Sequence, residues 1–421
     1  ITNYQLPITS IKMIKKLLTT AIFILLVAFA HPIYAKDHSS EIHYQNVKIS
    51  PNGKYLAISL TLDGLSSLVF RDIETNKILG FTKLPEQLVL GDYQWVNNER
   101  VVFKIYNKVT WSDKPQFYGE LFAINFDGSK VELIYGYSNG EKQIGSRAKK
   151  KKSIFGWGDI INILPDDKKH ILISSTPMNS TKDNPATVYK LNVYTGLIDN
   201  RLAKSPLSFS TFITNSTGDL VGVVGKTINN QQKLLLRKNE QWESVNEAMV
   251  GENFKVILPH YSDEYLYLFD DIKGHRGLFR LNIAENLYES VDFDMNVNDF
   301  EKYNIEQSAK GLPLSLELTE FLLLNKQTED AQTYERLIST FPNKKVIINS
   351  KNRAGDLFTV GVFKNDSSGD LYLFNKEKNH MKYLNNFEKD PIEVEFLHID
   401  NNKQVSFNDN TIRLYPSGFK G

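Results

Sequence analysis

The stretch Leu371-Tyr372-Leu373-Phe374-Asn375 is an apolar run that ends on a turn-forming side chain, and it has six relatives along the chain. They are Leu68-Val69-Phe70-Arg71-Asp72, Leu121-Phe122-Ala123-Ile124-Asn125, Val188-Tyr189-Lys190-Leu191-Asn192, Leu234-Leu235-Leu236-Arg237-Lys238, Leu278-Phe279-Arg280-Leu281-Asn282 and Phe321-Leu322-Leu323-Leu324-Asn325. Six of the seven end on Asp or Asn, and turn-like residues follow, as in Glu74-Thr75-Asn76-Lys77 and Tyr194-Thr195-Gly196. Branched and aromatic side chains fit a pleated strand, and Asn, Asp and Gly fit the turn after it, so each unit reads as a strand entering a turn. Successive first positions lie 53, 67, 46, 44, 43 and 50 residues apart.

A period of about 40 to 50 residues with several strands per unit is the signature of a β-propeller, one four-stranded blade per repeat. Any all-β protein supplies some amphipathic pentapeptides, and it is the spacing that selects the propeller. The expected fold is all-β, a seven-bladed β-propeller over residues 44–390. The expected blades are Val47 to Asn76, Tyr93 to Tyr135, Gly158 to Asn200, Phe209 to Val245, Val256 to Val291, an irregular sixth around Phe321 to Asn325, and Lys345 to Leu384. Between the last two, Ala331, Tyr334, Leu337 and Ile338 recur at helical spacing, which predicts a short helical insertion near residues 328–340.

Composition narrows the function. Lys plus Arg is 50 and Asp plus Glu is 49 in 421 residues, a balance that offers no basic face for nucleic acid. Hydrophobic residues make up 41% and aromatic ones 12%, enough for a sizeable core. The absence of cysteine removes disulfides, thiolate metal sites and cysteine nucleophiles. Near the N-terminus, Lys15 and Lys16 precede the apolar stretch Leu17 to Ala30, and a segment ending Ile33-Tyr34-Ala35 follows. That order predicts a signal peptide over residues 13–35, from Met13 to cleavage after Ala35, and a periplasmic or secreted product. The apolar stretch falls short of the roughly 20 residues that span a bilayer, so no stable membrane span is expected after cleavage. Residues 1–12 precede the first methionine and read as upstream residues.

Gly136-Tyr137-Ser138-Asn139-Gly140 matches G-x-S-x-G, but a nucleophile elbow needs an amphipathic helix after the serine. Glu141 to Lys152 is polar and basic instead, so Ser138 reads as a turn between blades. The basic run Lys149 to Lys152 has no aromatic interleaving and reads as a solvated loop. His38, His43, His170, His260, His275, His380 and His398 stand apart, with no H-E-x-x-H or H-x-H arrangement for a metal. Gly136, Gly140 and Gly145 lack the strand-to-helix context of a phosphate loop. The expected catalytic, cofactor-binding and metal residues are therefore none.

The phrases SPNGKYLAIS, WVNNERVVF, GELFAINFDG, ILPDDKKHILI, VYKLNVYTG, AQTYERLISTFP and GDLYLFNKEKNHMKYL occur in that order. Together they resemble the N-terminal propeller of the prolyl oligopeptidase family of serine peptidases, in its bacterial exported acylaminoacyl-peptidase-like and dipeptidyl-peptidase-like branch. The resemblance covers about Val47 to Gly421. It implies that an α/β-hydrolase domain with a Ser, Asp, His triad follows, and that residues 391–421, with Val405 to Phe407 and Thr411 to Pro416, are its lead-in. The hydrolase domain is not in this sequence, so the chain is expected to be a truncated, non-catalytic portion that gates peptide substrates. The paired glutamates by which dipeptidyl peptidases hold a substrate amine have no counterpart, since no Glu-Glu dipeptide occurs. The alternative is a free-standing periplasmic propeller that binds a protein or peptide partner, as TolB-like modules do.

Overall fold

Four short antiparallel strands follow one another again and again along the chain. The computed structural model describes residues 44–140, 151–179, 184–246, 250–258, 263–272, 275–291, 314–315, 329–364, 368–388, 406–407 and 410–411. Blade 1 is β1 (Tyr44–Ile49), β2 (Tyr55–Leu62), β3 (Leu65–Asp72) and β4 (Ile78–Lys83). Blade 2 is β5 (Leu88–Trp95), β6 (Arg100–Val109), β7 (Ser112–Asn125) and β8 (Glu132–Tyr135). Blade 3 is β9 (Gly156–Asn162), β10 (His170–Pro177), β11 (Pro185–Asn192) and the start of β12 (Ile198–Thr214). The end of β12 begins blade 4, which continues through β13 (Leu220–Lys226), β14 (Gln232–Lys238) and β15 (Gln241–Ser244).

Blade 5 is β16 (Lys255–Leu258), β17 (Tyr265–Ile272), β18 (His275–Asn282) and β19 (Tyr288–Val291), and β20 (Leu314–Ser315) pairs in parallel with β16. Helix α1 (Glu329–Thr340) precedes the last blade, β21 (Lys345–Lys351), β22 (Leu357–Phe363), β23 (Ser368–Asn375) and β24 (His380–Glu388). A two-residue hairpin, β25 (Ser406–Phe407) with β26 (Asn410–Thr411), falls within the expected lead-in segment; the rest of that segment, the expected sixth blade at Phe321 to Asn325 and the expected signal peptide lie outside the described residues. The described residues include no helix long and apolar enough to cross a membrane.

The six described pentapeptides all fall in the third strand of a blade: β3, β7, β11, β14, β18 and β23. They are apolar almost throughout because most of these sheets are covered on both faces by neighbours. In β3, Leu68 and Phe70 pack toward blade 2 while Val69 packs toward the last blade. In β14, Leu234 and Leu236 meet blade 5 and Leu235 meets blade 3. In β23, Leu371 and Leu373 meet blade 1 and Phe374 lies in the cluster with helix α1. Alternate side chains leave a strand on opposite sides, so one pentapeptide feeds two cores.

The closing Asp or Asn has a physical role. Asp72 Oδ1 accepts from the Thr75 N–H at 2.7 Å, Asn192 Oδ1 from Tyr194 (3.0 Å) and Thr195 (3.1 Å), Asn282 Oδ1 from Ala284 (3.0 Å) and Glu285 (2.9 Å), and Asn375 Oδ1 from Lys378 (2.8 Å). Blade 4 has Lys238 at this place and needs no such acceptor. Its turn is the two residues Asn239 (φ 48°) and Glu240 (φ 64°), the left-handed pair of a tight hairpin.

Sheets stacked through inter-blade cores from the last blade through blade 5 give an all-β, propeller-like fold. The first and last described blades meet, since β1 pairs in parallel with β24 at Tyr44 and Phe387, Ile49 N–H donates to Ser350 Oγ (3.0 Å) and Thr359 Oγ1 donates to the Val47 carbonyl (3.1 Å). Helix α1 covers the other face of the last blade through Tyr334 and Leu337, whereas Ile338, expected on the same apolar stripe, is 38% exposed.

Candidate functional site

In a propeller the first strand of a blade lies nearest the axis; here β5 and β9 are the edges of their sheets, whereas β1 runs between β24 and β2. On β1, Val47 and Ile49 point into the inter-blade core and Lys48 does not. On β5, the register slips between Leu90 and Tyr93, so Gly91 and Asp92 form a bulge that turns Asp92 outward. A glycine is required there because a Cβ at Gly91 would sit 2.0 Å from the Tyr106 ring.

The next residues of β5 fix the strand against blade 1. Tyr93 Oη lies within hydrogen-bonding distance of the Asn46 (2.8 Å) and Ala57 (3.0 Å) carbonyls, and Trp95 Nε1 donates to the Lys48 carbonyl at 3.0 Å. Burial pushes the Tyr93 phenol well above its ordinary value, which keeps it a neutral donor.

These anchors place a row of alternating charges across three blades. Lys48 Nζ donates to Asp92 Oδ1 at 3.0 Å and to Gln94 Oε1 at 3.3 Å, and Lys104 on β6 pairs with Asp159 on β9. Lys104 Nζ also lies 5.1 Å from the Phe117 ring centroid, a cation–π contact. The lysine side chains are 19% and 17% exposed, the two carboxylates 67% and 47%. The Asp92 carboxylate is thus open to water.

Burial pushes the Asp92 carboxyl up, but Lys48 and Lys104 prevail and hold it below its ordinary 3.8. Burial pushes the Lys104 ammonium down, and Asp159 outweighs it, so Lys104 titrates above its ordinary 10.5. Asp92 and Lys104 are therefore charged at neutral pH. The lysines sit beneath and the carboxylates face the water, so this surface offers hydrogen-bond acceptors first and cations behind them.

None of these residues stood out in the sequence. The available signal is a lone charge inside an otherwise apolar run, such as Lys104 within Val101-Val102-Phe103-Lys104-Ile105-Tyr106, because a lysine in a strand covered on both faces must have a reason to be there.

The residues weighed from the sequence fall elsewhere. Ser138 sits in a single 3-10 turn, Tyr137–Gly140, directly after β8, and residues 141–150 lie outside the described residues. Within the basic run, Lys151 pairs with Glu132 on β8. His170 has Nδ1 2.9 Å from both carboxylate oxygens of Asp167 and Nε2 2.8 Å from Asp199 Oδ2, and Lys190 Nζ lies 2.8 Å from Asp167. Burial raises the Asp167 carboxyl, but Lys190, the Lys169 N–H and His170 together take it well below the usual carboxylate range. This cluster ties down the first turn of blade 3. His380 is exposed, and His38, His43, His260, the His275 side chain and His398 lie outside the described residues. Among the described residues no group of three His, Cys, Asp or Glu could hold a metal ion.

No protein-family model matches the chain, and no curated protein is significantly similar to it. Solved structures similar to it include a puromycin-hydrolyzing peptidase of Mycobacterium tuberculosis (TM-score 0.46, 10% identity, 84% of this chain and 55% of that one). Others are oligopeptidase B from Leishmania major (TM-score 0.40, 9% identity, 82% and 41%) and the β-propeller domain of the Trilobed protease from Pyrococcus furiosus (TM-score 0.37, 11% identity, 82% and 83%). The chain spans 41% of the length of the Leishmania protein and 55% of the mycobacterial one.

Proposed function

We propose that this chain is the propeller portion of an exported serine peptidase of the prolyl oligopeptidase type, and that its inner channel admits short or unstructured peptides and excludes folded protein. The ring on this reading has seven blades, with the sixth within residues 292–328, and residues 13–35 direct export to the periplasm or beyond. The observation that carries the reading is the row Lys48, Asp92, Lys104 and Asp159, on the first strands of blades 1 to 3 and on β6, with its two carboxylates facing water. An extended peptide presents N–H donors, C=O acceptors and a charged terminus, and a wall with both signs of charge suits such a chain without selecting a sequence. The ordered phrases quoted above support the same family.

Two experiments test it. Reading the encoding DNA beyond Gly421 should find an α/β-hydrolase domain with a G-x-S-x-G elbow and later Asp and His; a stop codon directly after Gly421 would favour the free-standing binding module. Calorimetric titration of a short unstructured peptide should show binding that weakens several-fold in the Asp92→Asn, Asp159→Asn double variant. Equal binding by both proteins would remove the row from the path of the peptide.

A further inference from the structure

The turns that join first to second strands gather at one face of the propeller, and several are laced to those of an adjacent blade. Arg353 N–H donates to the Pro51 carbonyl (2.9 Å), Asn97 Nδ2 to the Lys168 carbonyl (2.7 Å), Asn162 Nδ2 to the Asn215 carbonyl (3.1 Å) and Ser216 N–H to Asp263 Oδ1 (3.0 Å). One link does not join neighbours. The Arg353 guanidinium, on the last blade, donates to the Pro165 carbonyl at 2.8 Å and pairs with the Asp166 carboxylate, both on the first turn of blade 3.

Blades 1 and 2 lie between those two turns. A side chain that goes directly from the last blade to blade 3 has to pass in front of the inner ends of β1 and β5. Lys48 and Gln94 occupy those ends, each next to the last residue of its strand. On the reading that these strands line a channel, Arg353 lies over one mouth of it.

The contact is built to open. Both side chains are largely exposed, and an exposed ion pair is weak and screened by salt. The base of its turn is held, since Asn352 Oδ1 accepts from the Asp356 and Leu357 N–H groups (3.1 Å each) and Asn352 Nδ2 donates to Asp356 Oδ1 (2.6 Å). The tip backbone is held too, by the Arg353 N–H on the Pro51 carbonyl (2.9 Å) and the Gly355 N–H on the Asn352 carbonyl (3.2 Å), so opening needs only a swing of the Arg353 side chain. The inter-blade braces, by contrast, are buried and apolar.

We propose that Arg353 is a reversible strap across this mouth of the channel, closed by Asp166 and opened by its loss or by salt, which controls entry to the Lys48 and Asp92 row from that face. Its importance for ligands rests on the channel being their route, but the strap itself can be measured without any ligand.

The chain has no cysteine, so a single Gln94→Cys variant reports access beneath the strap. Its rate of alkylation by neutral iodoacetamide is expected to rise several-fold on going from low salt to 1 M NaCl. Adding Arg353→Ala or Asp166→Asn should raise the low-salt rate by a similar factor and abolish the salt dependence, and the two together should do no more than either alone. Equal rates in all variants, or effects of the two substitutions that multiply, would overturn the strap. The salt titration of Gln94→Cys alone keeps the test decisive should a double variant fold poorly. A strap confirmed here with no peptide binding in the calorimeter would sink the ligand route alone; peptide binding with salt-independent alkylation would sink the strap alone.

Discussion

The third strands and the first strands of this propeller obey different rules. Third strands repeat: Leu371 in β23 and Leu68 in β3 are fully buried, apolar on both faces and followed by a capped turn. First strands vary: β5 carries a bulge at Gly91 and Asp92, and β12 runs without a break from blade 3 into blade 4, bent where Phe209 takes φ 46°. The inter-blade cores set the first pattern, since most third strands feed two of them. Exposure sets the second, because Asp92 and Asp159 on first strands meet water as well as a neighbouring blade. Repetition in this chain marks what builds the cores, and departure from it marks what lies outside them.

The sharpest way to break the comparison is to remove a third-strand side chain. Leu371→Ala opens a cavity in the core that joins the last blade to blade 1, and should cost about 3–4 kcal/mol in urea denaturation. A loss below about 1 kcal/mol would show that this junction bears little of the ring's stability. Next in size is a change on a first strand that acts through sterics alone. Gly91→Ala drives a methyl group into the Tyr106 ring and should cost about 1–3 kcal/mol, with part of the loss recovered when Tyr106→Ala is added. If the second substitution recovers nothing, the bulge is held by something other than that close approach.

A third-strand cap is worth less. Asn375→Ala leaves the Lys378 N–H without its acceptor and should cost about 1 kcal/mol, while Lys238→Ala in the uncapped blade 4 should have almost no effect in the same thermal melts. The smallest effect is expected at the channel wall. Asp92→Asn removes half of a solvent-accessible ion pair, which bounds its cost at neutral pH to about 1 kcal/mol or less. Its sign is fixed by linkage. The Asp92 carboxyl is held below 3.8 when folded, so its contribution is fully present above that value and is lost as pH falls through the lower folded one. Acid titration of stability should therefore show a shallower loss below about pH 4 in Asp92→Asn than in the parent.

What could be read from the sequence follows the same division. The pentapeptides were legible because burial on both faces leaves a nearly unbroken apolar run, and because Asn192, Asn282 and Asn375 sit where the following N–H groups need an acceptor. Helix α1 was legible from Tyr334 and Leu337, which face the last blade one turn apart. The beginning of blade 2 was not, since Leu88 to Asp92 bends through a bulge, and nor was the continuity of β12, which passes from blade 3 into blade 4 with no turn between them. Nor was the charged row. Lys48 meets Asp92 across 44 residues and Lys104 meets Asp159 across 55, and the only local signal is the apolar run around Lys104, which does not name its partner. Arg353 and Asp166, 187 residues apart, are the extreme case.

The division between core-building third strands and channel-facing first strands is tested most directly by thiol accessibility in the native protein. Single cysteines placed at Asp92 and at Leu371 should differ by orders of magnitude in their rate of reaction with a small neutral alkylating reagent. Cys in place of Asp92 should react in the folded state, and more slowly as the reagent grows. Cys in place of Leu371 should react only as fast as the protein unfolds. Equal protection at both positions would contradict the exposure of Asp92 beside the buried Leu371 and remove the support for the proposed peptide route.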